Sequence, residues 1–381
     1  MTAKKNILIL CDWFLPGYLA GGPIQSIANL TNVLCDEFNF KIITTDRDFK
    51  SNKAYENIKS NEWTNFENRT IFYVSPENLN ESFLLGLIKN TPHDVMYLNS
   101  LFSKHFTINV LKWKAKHKIN STIILAPRGM FSNGALAIKP LKKKFFFIYA
   151  KFFGLFNAIC FQATNKQEAN EIKLKMGKVV LIKEVSNLPQ VAKDVMTIEK
   201  KTNQLNLFSI SRISSIKNIN YAIDILKEIK TLNVTFDIFG PIEDRIYWET
   251  CLENAKILPN NILFNYKGIA KPNEIGDTIS KYHALFLPTQ NENFGHIIVE
   301  TLQHGRPVVI SDQTPWRNLE NESVGFDVSL TDKQKFINAI EKLGELDQTE
   351  FNTITIHCVS YINSKLNIED IKKQYIKLFN A

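Results

Sequence analysis

An α/β protein of two domains is the fold the sequence predicts, and three observations predict it. Short apolar runs alternate with amphipathic stretches almost from end to end, the rhythm of parallel sheets covered by helices. That rhythm weakens once, in a polar and charged stretch over residues 183–204 that contains Pro189, and then starts again. A length of 381 residues also exceeds what one ordinary hydrophobic core organises, at about 100 to 200 residues per domain.

The first series begins with the apolar run NILILC, read as a strand buried on both faces. The amphipathic PIQSIANLTNVLCDEF follows as a helix, then KIITTD, DVMYLN, STIILAP and AICFQAT as further strands. The second series runs NLFSIS, helical NINYAIDILKEIK, VTFDIFG, helical YWETCLENAKI, ILFNYKG, ALFLPT, a helix from about Gly295, and PVVISD. The closing segment, IEDIKKQYIKLFNA, places Ile371, Tyr375 and Leu378 on one helical face. These boundaries give an N-terminal domain over 1–190, a C-terminal domain over 205–362, and a helix over 363–381 expected to return to the N-terminal domain. No residue-level repeat of fixed period joins the halves.

Composition agrees with a folded globular chain, at 44% hydrophobic and 22% charged residues. The five cysteines are scattered and form no C-x-x-C pair, which speaks against a disulfide framework and a zinc site and for a reducing cytosol. The first apolar run has no small-residue cleavage site after it, so secretion is not expected. A net charge of +8 favours an anionic partner: nucleic acid, membrane or a phosphorylated small molecule. The lysines and arginines form no reading motif, so nucleic acid ranks last.

Open α/β sheets bind ligands at the carboxyl ends of their strands, and two such domains usually hold their ligand in the cleft between them. NENFGHIIVE follows the strand ALFLPT and opens a helix near Gly295. Free N–H groups and the helix dipole at that end favour a diphosphate, and a glycine lets it approach. Glu292 and Glu300 flank this point, and a carboxylate can accept bonds from two neighbouring sugar hydroxyls. Taken as single residues, Glu292 reads more readily as a solvated loop residue and Glu300 as an ordinary helix glutamate; their spacing changes the balance.

The spacing E-N-F-G-x-x-x-x-E, followed by TLQHGRPVVISD, resembles the E-x7-E signature of retaining GT-B glycosyltransferases, the family 4 or group 1 type. The resemblance covers nearly the whole chain and is strongest from Arg212 to Asp312. It implies two Rossmann-like domains with parallel sheets facing across a cleft, the first binding acceptor and the second a nucleotide sugar. Glu300 then holds the ribose and Glu292 faces the donor sugar. The backbone of Phe294, Gly295, His296 and Ile297 lies along the diphosphate and sugar. FSISRISSIKNINYAI is similar to the family stretch whose Arg212 and Lys217 stabilise the departing diphosphate, a role that developing negative charge requires. Gly21 and Gly22 match a glycine pair in the first strand-to-helix loop. Gly240 and Gly268 fall at family loop positions, Gly240 beside the nucleotide. Where many relatives carry an acceptor-domain histidine, this chain reads PRGMFSNGAL, and Arg128 is the substrate-facing candidate.

Two further stretches carry alternatives. The triplet at residues 46–48, DRD, has the form of a metal-holding D-x-D but follows the second strand of a GT-B-like chain, so no metal and no cofactor are expected, only the nucleotide-sugar donor. Residues 139–156, KPLKKKFFFIYAKFFGLF, combine lysines with seven aromatic residues. They suit either a helix at an anionic membrane surface or one that packs its rings on the sheet. The resemblance implies a cytoplasmic enzyme, peripheral on the membrane, that transfers a hexose to a lipid-linked surface-polysaccharide or lipopolysaccharide precursor. A nucleotide-sugar epimerase of the same fold and a non-catalytic nucleotide-sugar binder are the alternatives.

Overall fold

The computed structural model describes residues 4–177, 180–190 and 195–381. Met1–Ala3 and residues 191–194, part of the stretch expected as a linker, lie outside the described residues. The chain divides into two compact units, Met1–Leu188 with Ile368–Ala381, and Pro189–Asn367.

In unit 1 the strands are β1 Lys5–Leu10, β2 Phe38–Thr45, β3 Trp63–Phe66, β4 Arg69–Val74, β5 Val95–Asn99, β6 Thr122–Ala126, β7 Ile159–Ala163 and β8 Leu181–Glu184. They form one sheet in the order β3-β4-β2-β1-β5-β6-β7-β8, parallel except for β3. The helices are α1 Gly22–Val33, α2 Glu81–Lys89, α3 Asn109–Ala115, α4 Asn133–Ala137, α5 Pro140–Phe152 and α6 Lys166–Met176. The central strands read as continuous apolar runs because helices cover both faces; Ile7 to Leu10 are fully buried.

Unit 2 carries β9 Gln204–Ile210, β10 Asn233–Phe239, β11 Ile262–Tyr266, β12 Ala284–Leu287, β13 Val308–Ser311 and β14 Gly325–Val328. Its sheet is wholly parallel, ordered β11-β10-β9-β12-β13-β14. The helices are α7 Ile219–Leu226, α8 Arg245–Ala255, α9 Ile275–Ile279, α10 His296–Gln303, α11 Lys333–Glu345 and α12 Gln348–Lys365. The last helix, α13 Ile368–Asn380, belongs to unit 1. There Tyr375 receives a 2.9 Å bond from Gln162 Nε2, and the Phe379 ring lies edge-on to Phe38 and Tyr97.

Several features differ from the sequence expectation. The polar stretch over 183–204 begins inside β8, and its far end is anchored in unit 2. Buried Lys200 donates through Nζ to the carbonyls of Gly344 at 2.8 Å and Leu346 at 2.9 Å. Its charge is met by carbonyls at the end of α11, that of Gly344 also accepting the Asn203 N–H at 2.9 Å, a contact invisible in composition. The helix expected to begin at 363 is two helices, since α12 continues to Lys365 and α13 starts at Ile368. The short hairpin of β3 and β4 was not foreseen; Glu67, at φ 54°, turns it. In α5 the two readings divide the helix: Phe146 and Phe147 pack on the core, while Phe145 and Phe152 face outward.

Candidate active site

Each sheet reverses its strand order once, and loops on either side of such a reversal splay apart to leave a ligand-sized crevice at the carboxyl ends of the strands. In unit 2 the reversal lies between β9 and β12. The loop after β9 carries Arg212 and Lys217, and the loop after β12 carries Glu292, Phe294 and Gly295. Topology therefore juxtaposes residues some eighty positions apart in sequence. Lys217 Nζ lies 2.6 Å from Glu292 Oε2, both side chains mostly buried. The loops are also joined through backbone, with Gln290 N–H and Thr289 Oγ1 donating to the Ile216 carbonyl at 2.7 and 3.0 Å. Glu292 N–H bonds the Gln313 carbonyl at 2.9 Å, fixing where the carboxylate starts.

Gly295 is the N-cap of α10 at φ 76°, ψ 63°, a left-handed conformation that favours glycine. A Cβ there would stand 2.8 Å from Ile298 Cδ1 and 3.1 Å from Glu292 Cγ, so the glycine also keeps room beside the acid. The next residues, His296 and Ile297, open the helix at the positive end of its dipole, and the Ile298 N–H donates to the Gly295 carbonyl at 2.9 Å. Phe294 contributes its ring to the core, 6.2 Å from Trp316, and its carbonyl accepts a 2.7 Å bond from Trp316 Nε1. That bond holds the turn before the helix.

Glu300, in the middle of α10, is 7% exposed. Burial pushes its carboxyl up from the ordinary 4.5 to about 8, and among the described residues no cation or hydrogen-bond donor opposes the shift. A buried carboxyl left in this state is costly in the absence of ligand and suited to accept hydroxyl donors. Arg212 Nη1 lies 2.8 Å from Glu243 Oε2, in an ion pair more open to solvent than that of Lys217. Gly240, after β10, is at φ 139°, and a Cβ on it would fall 1.9 Å from the Ser211 carbonyl oxygen. The glycine thus permits the loop after β9 to press against the loop after β10. Gly268 completes the same corner, its carbonyl accepting the Gly240 N–H at 2.8 Å.

Unit 1 repeats the topological device between β1 and β5. Gly21, at φ 70°, caps α1 with nothing within 4 Å of a Cβ position, and Gly22 begins the helix. Arg128, itself at φ 59°, donates to Asn99 Oδ1 at 2.7 Å, Tyr97 Oη at 3.1 Å and Asn187 Oδ1 at 2.5 Å. Its guanidinium is therefore committed to neighbours in unit 1, and it orders Asn99, whose buried amide nitrogen has no hydrogen-bond partner among the described residues. Sequence reasoning missed this Asn99 and also Asp12, which follows β1 and accepts a 2.7 Å bond from Ser103 Oγ. Burial raises the Asp12 carboxyl to about 6, against the Ser103 bond that lowers it. The signal was available, because both residues stand at carboxyl ends of strands beside the reversal.

The DRD acids have other work. Asp46 accepts from Arg47 Nε at 2.8 Å and from Ser60, and Asp48 accepts the N–H groups of Tyr18, Leu19 and Phe49. Among the described residues no group of three or more His, Cys, Asp or Glu is placed to hold a metal ion.

Residues 190–354 match the family described as Glycosyl transferases group 1. An uncharacterized 41.2 kDa protein in the cps region of Klebsiella pneumoniae is 20% identical over 335 residues, covering 82% of this chain and 87% of the relative. Among solved structures, sucrose-phosphate synthase from Thermosynechococcus elongatus superposes with a TM-score of 0.75 at 14% identity, over 99% of this chain and 98% of that one. Anabaena HepE in complex with UDP-glucose gives 0.69 at 15% identity, over 99% of each chain. The fold is GT-B, with two parallel-sheet domains.

Proposed function

We propose that this protein is a retaining glycosyltransferase of the family 4 type that moves a hexose from a nucleoside-diphosphate donor to a hydroxyl of a lipid-linked saccharide. The observation that carries the reading is the Lys217–Glu292 pair at the unit 2 strand reversal, in the loops that lead to the amino end of α10, the helix that also carries the buried Glu300. A donor offers phosphate oxygens to Lys217, Arg212 and the helix end, and ribose hydroxyls to Glu300. The backbone of Phe294, Gly295, His296 and Ile297 follows the diphosphate, and Gly240 gives the nucleotide room. The UDP-glucose bound by HepE fits this donor class.

Glu292 positions the sugar. As the anomeric C–O bond breaks, its electron pair passes to the diphosphate oxygen, where Lys217 and Arg212 stabilise the charge. The acceptor oxygen forms its bond on the same face of the sugar, and its proton goes to the departing phosphate, so no covalent nucleophile and no metal are called on. Unit 1 holds the acceptor, with Gly21 and Gly22 leaving backbone space and Arg128 setting Asn99. The cps-region relative supports a polysaccharide precursor as acceptor. A lipid-linked acceptor places the enzyme on the inner face of the cytoplasmic membrane, with residues 139–156 as the contact.

Donor binding is tested by thermal shift across nucleotide sugars, since a ligand that binds only the folded state raises Tm by mass action. The expected result is a rise with one donor that Glu300→Ala abolishes. No rise with any nucleotide sugar refutes the reading. Product analysis separates the alternatives: an epimerase makes a new nucleotide sugar without acceptor, and a binder releases no nucleoside diphosphate.

A further inference from the structure

We propose that Tyr375, on the C-terminal helix α13, is a positioning residue of the unit 1 crevice: through Gln162 and Tyr97 it sets the guanidinium of Arg128. The arrangement begins with side-chain alternation along the strands. Tyr97 and Asn99 lie two residues apart in β5 and so share a face of the sheet, and β7 brings Gln162 to the same layer from the far side of β6. Helix α13 covers this layer. The Phe379 ring stands edge-on to Tyr97 at 5.5 Å, and Tyr375 lies one turn earlier on the same helical face. Tyr97, Gln162 and Tyr375 are all buried.

The direction of each hydrogen bond follows from its partners. The Val185 carbonyl accepts from Gln162 Nε2 at 2.8 Å, so the amide presents its NH2 group on that side and its oxygen to Tyr97. Nε2 also donates to Tyr375 Oη at 2.9 Å, and the Tyr97 hydroxyl donates to Gln162 Oε1. With its proton spent on Gln162, Tyr97 offers its oxygen as an acceptor, and Arg128 Nη2 donates to it at 3.1 Å. The same nitrogen donates to Asn99 Oδ1 at 2.7 Å, where Nε joins it at 3.1 Å. An unbroken chain of hydrogen bonds thus runs from α13 to Asn99 at the carboxyl end of β5.

Apolar side chains would fill an interface of sheet and helix without desolvating three polar groups, and the buried neighbours Phe161, Leu378 and Phe379 are of that kind. A satisfied buried network instead holds one arrangement. Arg128 needs holding: in the loop after β6 it stands at φ 59°, a left-handed conformation unfavourable for a residue with a Cβ. Its backbone has a separate anchor. Glu168 of α6 accepts the Gly129 N–H on Oε1 at 2.7 Å, and its Oε2 takes the Thr164 N–H and hydroxyl at 2.8 Å each. The anchor from α6 therefore bears on the loop backbone, and the one from α13 bears on the guanidinium.

The inference deepens the proposed function, on which it rests for what Arg128 and Asn99 receive, an acceptor saccharide; the positioning itself is tested without substrate. In the full chain labelled with nitrogen-15 arginine, the Arg128 Nε–H resonance is identified by its loss in Arg128→Lys. Its exchange with water reports how often the guanidinium lets go of Asn99. Tyr375→Phe removes the hydroxyl alone and is expected to speed that exchange about tenfold, as the loss of one bond in the chain. Ile371→Ala loosens α13 by packing and is expected to leave the exchange within about twofold. Unchanged exchange in Tyr375→Phe, or equal acceleration in Ile371→Ala, overturns the proposal. With the donor singled out by thermal shift and octyl glycosides as acceptors, Tyr375→Phe is expected to raise the acceptor KM about tenfold, to leave the donor KM unchanged and to add nothing in an Arg128→Lys background. An effect undiminished in that background overturns the route through Arg128. Faster exchange with no transfer from any nucleotide sugar keeps the positioning and sinks the transferase reading, and transfer with unchanged exchange does the opposite.

Discussion

Replacing Glu300 with Gln should make the ligand-free protein more stable while making it a worse donor binder. Burial raises this carboxyl from 4.5 to about 8. A carboxyl whose folded pKa is raised keeps its proton in the folded state after the unfolded chain has lost it, so its contribution favours folding least at high pH. Stability is full below pH 4.5, falls as pH rises through the interval to about 8, and is level above it. At 1.36 kcal/mol per pKa unit the whole interval amounts to about 5 kcal/mol, of which about 3 kcal/mol has been lost by pH 7. Gln presents a neutral group of the same shape and has no such slope. Unit 2 of Glu300→Gln should therefore melt higher at pH 7 by roughly 6–12 °C, at about 2–4 °C per kcal/mol for a domain of this size. Scanning calorimetry from pH 5 to 8 reads both the shift and the slope. A wild-type Tm that is flat over this range, or a variant with the same slope, would falsify the claim that the carboxyl is buried without a partner. Donor binding supplies the check on function: hydroxyls bonded to the carboxylate favour its ionised form, so binding just below pH 8 should release protons, measurable by titration calorimetry in buffers of different ionisation enthalpy.

Glu292→Gln and Lys217→Met each leave a mostly buried partner charge unpaired, and both should lower turnover about 10²- to 10³-fold with smaller effects on donor affinity; equal activity in either variant would remove that residue from the mechanism. Gly240→Ala places its Cβ within 1.9 Å of the Ser211 carbonyl, so a loss of about 3 kcal/mol or more is expected in urea unfolding, and a change under 1 kcal/mol would show that the two loops are free to part. Gly295→Ala combines a left-handed φ with contacts to Ile298 and Glu292, and should weaken donor affinity in calorimetry more than it lowers Tm; the opposite order would make the glycine structural alone.

Some of this protein is determined by its sequence alone. Runs such as NILILC and ALFLPT become central strands because an apolar segment without alternation can only be buried on both faces, and β1 and β12 lie where that rule puts them. The Glu292–Gly295–Glu300 spacing is local, so the helix start at His296 was legible from one loop and one helix. What only the tertiary structure decided depends on distant groups. Glu300 reads as any helical glutamate until the packing around α10 removes its solvent, and that packing raises its pKa. Lys217 and Glu292 meet because β12 returns beside β9, a strand order that no local pattern encodes. Arg128 reads as a free cation until Asn99, Tyr97 and Asn187 are brought to it, and Lys200 as linker polarity until the end of α11 supplies carbonyls. Hydrophobic periodicity reports whether a residue is buried; it carries no information on which polar partner, if any, waits there, and that is the quantity on which the chemistry of the site depends.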